Sequence, residues 1–137
     1  MSILRLAAMA LAATAAAMVA GSAAAHHSTA MFDMQKSVTL NGTIKEFQWT
    51  NPHTWIVFEV PNAAGGTDEY GIEGMSPNYL ARRGWSKHTL NPGDKVSVLI
   101  HPLKGADHGG SFLSVTLADG TVMRQSGGPP PASGPGL

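Results

Sequence analysis

Residues 38–60, VTLNGTIKEFQWTNPHTWIVFEV, carry the strongest constraint on the fold. Val38, Leu40 and Ile44 alternate with Thr39, Asn41, Thr43 and Lys45, and Gly42 takes the inward slot between Leu40 and Ile44. Alternation of period two with β-branched residues specifies a strand buried on one face. The apolar phase then slips by one, because Phe47 and Trp49 are odd-numbered. A one-residue slip turns side chains to the opposite face, so the sequence calls for a bulge near Glu46 or a strand end there. Gly42 suits a strongly coiled strand, where a side chain would crowd a neighbour. In the second run, 54–60, Ile56, Phe58 and Val60 share one face, and Trp55 and Val57 share the other with Glu59. Between the runs, Asn51-Pro52 signals a turn, since proline fixes its own φ and keeps the preceding residue out of the helical region. His53 therefore falls at a turn-to-strand junction beside Trp49 and Trp55.

Further along, 69–74 reads as a short strand with Tyr70 and Ile72 on one face. Ser76 is a good N-cap, Pro77 suits the first helical position and Gly84 suits the position past the end, which predicts a helix of about two turns. Tyr79 and Leu80 form its buried side, and Arg82 and Arg83 complement the dipole in its last turn. Asn91-Pro92-Gly93-Asp94 is a turn that launches a strand over 95–101, with Val96, Val98 and Ile100 inward. Another strand covers 111–118, and Asp119-Gly120 is a hairpin turn into 121–124. Five or six short strands with one small helix between the third and fourth give the order of an OB-like Greek-key β-barrel. A small β-sandwich or open roll is the alternative architecture.

The ends of the chain read differently. Met1 to Arg5, an uncharged Ala/Leu/Met run to Val19 and the small residues Ala23-Ala24-Ala25 have the order of a secretory signal peptide cut between Ala25 and His26. The organisation expected is a leader at 1–25, an N-terminal arm at 26–36, a barrel domain at 37–124 and a disordered Gly/Pro-rich tail at 125–137. The chain is then periplasmic or secreted, with no membrane anchor after cleavage. Nine basic and nine acidic side chains balance, and removal of Arg5 tips the mature chain by one toward acidic. That balance gives no electrostatic case for nucleic acid or anionic membranes. The absence of cysteine excludes disulfides, thiolate metal sites and cysteine nucleophiles. The core alone must stabilise such a domain, and barrel closure is one way for a short chain to do so.

His26-His27-Ser28, Phe32-Asp33, VTLNGTI, WTNPHTWI, Ser76-Pro77, Arg82-Arg83-Gly84-Trp85, LNPGD at 90–94 and LADG at 117–120 together resemble a family of small exported bacterial proteins known only as a domain of unknown function. The resemblance covers nearly the whole mature chain apart from the tail. It implies export and a single domain, and it brings no mechanism or catalytic residue.

The sharpest chemical feature is the mature N-terminus. Cleavage after Ala25 leaves His26 with a free α-amine, which chelates a metal together with its own imidazole, and His27 adds a second imidazole. Imidazole suits copper, zinc and nickel, and copper binds most tightly in the divalent series. Met31 is a soft thioether nearby, and His53 is a further candidate ligand. The metal set read from the sequence is thus His26, His27, His53 and Met31, with copper the expected metal. The plainer reading makes the histidines solvating groups on an exposed arm, with Met31 and Phe32 as hydrophobic plugs against the barrel. Trp49, His53 and Trp55 have the make-up of a small-ligand groove, although His53 by itself is better explained as a structural histidine bonding a carbonyl at the Asn51-Pro52 turn. His101 and His108 read as solvated loop residues. Glu69 and Glu73 face solvent or approach Arg82 and Arg83, and no acid/base pair is claimed for them. Ser76 lacks the flanking glycines of a nucleophile elbow, and no phosphate-binding glycine motif is present.

The leading expectation is an exported, non-enzymatic binding module. The alternative is an envelope structural or interaction domain that binds a protein or glycan through its Trp/His surface. The intact mass of exported protein is expected to match a chain beginning at His26. A chain retaining residues 1–25 in the membrane fraction would remove the free-amine argument.

Overall fold

The computed structural model describes residues 30–105 and 108–126. The leader, its cut site, His26, His27 and all but the first two residues of the tail lie outside the described residues. The chain divides into two compact units, Met1–Met31 and Phe32–Leu137. Of the first, Ala30 and Met31 are described.

The second unit contains β1 (Val38–Gln48), β2 (Trp55–Pro61), β3 (Thr67–Glu73), α1 (Pro77–Ala81), β4 (Lys95–Pro102), β5 (Gly109–Thr116) and β6 (Val122–Arg124). The strands form one sheet in the order β3-β2-β1-β4-β5-β6, and a parallel β3–β5 pairing closes the first five into a barrel. This is the OB-type arrangement, with the helix between β3 and β4. Closure excludes the sandwich and the open roll. Among the described residues, no helix is long and apolar enough to cross a membrane.

β1 serves two neighbours. Its first half, Val38 to Thr43, pairs with β4, and its second half, from Thr43 to Gln48, pairs with β2. The register on β2 shifts between Ile44 and Glu46, which makes Lys45 the extra residue of a bulge. The bulge resolves the slip in apolar phase: Ile44 is buried, and Phe47 and Trp49 also pack against the core. Where β1 passes from one neighbour to the other, β2 comes very close. A Cβ on Gly42 would lie 2.1 Å from the Glu59 carbonyl oxygen, so no larger residue fits without a backbone shift.

Phe58, Phe112, Ile56, Ile72 and Val98 from the strands and Leu80 from the helix are fully buried in one core cluster. Burying each such side chain contributes about 1.5–3 kcal/mol before entropy is counted. Phe32 is also buried, and it bridges to Leu103 while the Asp33 N–H donates to the Pro102 carbonyl at 2.8 Å. Phe32 is thus covered by the protein, whereas Met31 is 49% exposed.

The helix is shorter than its signals suggest. It has five residues, with Ser76 as N-cap accepting from the Tyr79 N–H at 3.4 Å. Pro77 and Leu80 are its buried residues, and Tyr79 is half-buried with the Arg83 guanidinium 3.7 Å above its ring. Arg82 is the C-cap, so both arginines fall at or beyond the helix end. Trp85 then returns the chain to the barrel: it is buried, and its Nε1 donates to the Arg124 carbonyl at 2.9 Å.

β5 begins earlier than the glycines around it suggest, at Gly109. Here β3 and β4 both press on β5, and a Cβ on Gly110 would meet the His101 carbonyl oxygen at 2.5 Å. The Asp119-Gly120 hairpin forms as expected, and the Thr121 N–H donates to Asp119 Oδ1 at 2.8 Å, which holds that carboxyl below its usual range.

Gly42→Ala is expected to cost about 1–3 kcal/mol through overpacking. Gly71→Ala adds a Cβ that meets nothing within 4 Å, and is expected to change stability by less than about 0.5 kcal/mol. Thermal denaturation followed by circular dichroism compares the two.

Candidate functional site

The β1–β2 loop, 49–54, is built by short-range bonds and then fastened to distant backbone. The Thr50 hydroxyl donates to the His53 carbonyl at 3.1 Å, which closes the loop on itself. The Asn51-Pro52 peptide bond within it is cis. Thr54 is fully buried, and both its N–H (3.2 Å) and its hydroxyl (2.9 Å) donate to the Met75 carbonyl. The Gly74 N–H donates back to the Thr54 carbonyl at 2.8 Å. The Met75 N–H donates to Gln125 Oε1 at 2.8 Å, and the Gln125 N–H donates to the Leu113 carbonyl at 3.0 Å. One joint therefore ties the loop to the end of β3, to β5 and to the residue after β6.

His53 sits on this joint. Its Nδ1 lies 2.7 Å from Glu73 Oε1 and 3.1 Å from the Gly74 carbonyl oxygen. A backbone carbonyl and a carboxylate both accept, so Nδ1 must carry the proton and donate. In the neutral ring the lone pair then belongs to Nε2, which has no hydrogen-bond partner among the described residues. The His53 side chain is 37% exposed and that of Glu73 only 14%. A carboxylate behind an imidazole fixes the ring orientation and the tautomer. The arrangement offers one oriented nitrogen donor, which can ligate a metal or accept a hydrogen bond. The structural reading of His53 is met in kind, but its carbonyl belongs to Gly74 rather than to the Asn51-Pro52 turn.

The two tryptophans divide. Trp49 is half-buried and stands edge-on to Phe47 at 5.6 Å; Phe47 lies 6.1 Å from Trp85, which lies 5.2 Å from Phe112. Trp49 is thus the outer rung of an aromatic ladder running into the core. Trp55 is 39% exposed on the outer face, in register with Gln48 of β1 and Glu73 of β3. Among the described residues, no three His, Asp or Glu side chains group as a metal set.

A cavity of ≈ 490 Å³ lies elsewhere, lined by residues that include Asn41, Thr43, Lys95, Ser97 and Thr116. A second, of ≈ 260 Å³, is lined in part by Thr89, Asp94 and Asp119. Trp49, His53 and Trp55 line neither.

Glu69 finds its partner away from Arg82 and Arg83. Glu59 and Glu69 are directly opposed across β2 and β3, and Lys45, projected by the bulge, reaches Glu69 Oε2 at 2.5 Å. That hydrogen bond, with the charge behind it, holds the Lys45 ammonium above its usual range. The two histidines read as solvated loop residues are both engaged: His101, which lies in β4, has its Nδ1 2.6 Å from the Lys36 carbonyl oxygen, and His108 packs edge-on to Tyr70 with its Nε2 3.4 Å from Asp68 Oδ2.

The chain matches the model of a family of unknown function, DUF6152, over residues 13–112. No curated protein and no solved structure matches it.

Loss of the joint is expected to be felt throughout the barrel. Thr54→Val removes a buried donor at nearly constant volume, and Gln125→Ala leaves the Met75 N–H without its acceptor. Each is expected to lower stability by about 1–2 kcal/mol, while Thr54→Ser, which keeps the hydroxyl, should lose less. Urea denaturation of the three variants checks the order.

Proposed function

The chain belongs to a family of unknown function, DUF6152, and on that premise we propose that it is an exported, non-enzymatic β-barrel binding module for copper or a related late first-row metal. The observation that carries the reading is the imidazole of His53, held from behind by Glu73 with Nε2 left to a ligand. Its setting is that of metal-binding histidines, whose second nitrogen donates to a carboxylate or carbonyl. The sequence adds His26 and His27 at the mature N-terminus, where amine and imidazole form a chelate. Met31, half exposed, is a further soft donor. Copper fits a donor set of imidazoles, an amine and a thioether better than calcium or magnesium, which take oxygen.

A second reading is favoured by Trp55. Its ring is exposed on the outer face beside the Glu73 position, and an exposed aromatic with adjoining polar groups suits an envelope protein or a glycan. Trp49 contributes less to that surface, because it packs inward.

Electron paramagnetic resonance of the Cu(II)-loaded mature protein separates the two readings. Replacement of His26 by Ala is expected to change the ligand field, and a change on His53→Ala would add that residue to the set. Identical spectra in the mature protein and both variants would leave only adventitious copper, and the Trp55 surface would become the better account.

A further inference from the structure

We propose that His53 and Met75 form a copper(I) site of their own, with Glu73 as the residue that positions the imidazole. The proposal rests on the copper reading above, but it uses donors that the N-terminal chelate does not need.

Met75 directly follows Gly74, whose carbonyl faces His53 Nδ1. Its main chain is clamped at both polar atoms, the N–H by Gln125 Oε1 and the carbonyl by the N–H and hydroxyl of Thr54. Thr54 in turn follows His53. The His53 and Met75 side chains therefore leave from two backbone segments bonded side by side. Neither is committed to the core: the His53 side chain is 37% exposed and Met75 is 38% exposed. A half-exposed methionine and a half-exposed histidine with Nε2 unengaged among the described residues, carried on adjoining bonded segments, supply the two donors of the proposed site.

The chemistry of that set selects the metal. Thioether with imidazole is soft, which suits Cu(I) rather than calcium or magnesium. Structural zinc asks for four ligands, and the described residues group no three His, Asp or Glu side chains as a metal set. Cu(I) is satisfied by two or three soft donors. Glu73 completes the logic without touching the metal. By accepting from Nδ1 it keeps the proton off Nε2, so a metal meets a nitrogen already in its binding tautomer. Its carboxylate also offsets the charge of the arriving cation.

The test is anaerobic competition of the full mature protein against bicinchoninate, a coloured Cu(I) chelator, with ascorbate present. His53→Ala and Met75→Leu are each expected to weaken Cu(I) binding roughly 10- to 100-fold. The leucine keeps the size of an exposed side chain and leaves the hydrogen-bonded joint intact. His88→Ala, which removes an exposed histidine that takes no part in the site, should leave the Cu(I) affinity about unchanged. Glu73→Ala should convert the His53 ring from the Nδ1–H form to a mixture of tautomers in nitrogen-15 spectra, and should weaken Cu(I) binding while the circular dichroism spectrum stays the same. Parental Cu(I) affinity in Met75→Leu or in His53→Ala would overturn the proposal. The N-terminal chelate fails separately, by a Cu(II) spectrum that does not respond to His26→Ala.

Discussion

The bulge at Lys45 is the constraint on which the barrel depends. An eleven-residue strand cannot pair with β4 along one half and β2 along the other while keeping one face inward, unless its twist is interrupted. The extra residue supplies the interruption, and it lets Ile44 and Phe47 both pack toward the core despite their opposite parity. Gly42 is the matching concession on the other side of the turn in direction, since β2 passes too close there for any side chain. The bulged residue also does electrostatic service. From β1, Lys45 reaches across β2 to Glu69 of β3, which stands opposite Glu59 of β2, and like charges so placed are destabilising. Its ion pair with Glu69 relieves that repulsion, though at an exposed site such a pair contributes little by itself.

A second level of order sits at the mouth of the barrel. The aromatic ladder from Trp49 to Phe112 anchors the β1–β2 loop from inside, and the hydrogen-bonded joint at Thr54, Gly74, Met75 and Gln125 anchors it from the side. His53 lies between these two supports, so its ring direction follows from the fold rather than from the local turn. A group held in this way loses little freedom when a ligand arrives, which is where fixed sites gain over mobile ones.

Much of this was legible in the residues. The parity of Leu40, Ile44, Phe47 and Trp49 announced the bulge, Ile56 and Phe58 announced the inner face of β2, and Ser76-Pro77 with Gly84 marked the helix. What escaped was long-range register. Nothing in WTNPHTWI says that Glu73, twenty residues on, will stand behind His53, because that depends on how β2 pairs with β3. Gln125 reads as the first residue of a polar tail, yet its side chain caps Met75 fifty residues away. Gly109 and Gly110 look like loop, and only the approach of β3 and β4 explains why glycine is what a strand needs there. Glycine, glutamine and glutamate carry weak local signals, and their roles were set by contacts between segments far apart in the chain.

The bond from Met75 to Gln125 has a consequence for the order in which the molecule is made. A chain that emerges N-terminus first, from a ribosome or through a membrane pore, offers β1, β2 and β3 long before residue 125. Those three strands can pair, but the backbone that carries Met75 beside Thr54 keeps an unanswered N–H until the end of β6 has followed. Contacts of such large sequence separation form slowly, because loop closure must precede any gain. The joint that holds His53 is therefore completed at the close of folding, and a partly delivered chain presents the histidine without its full set of supports.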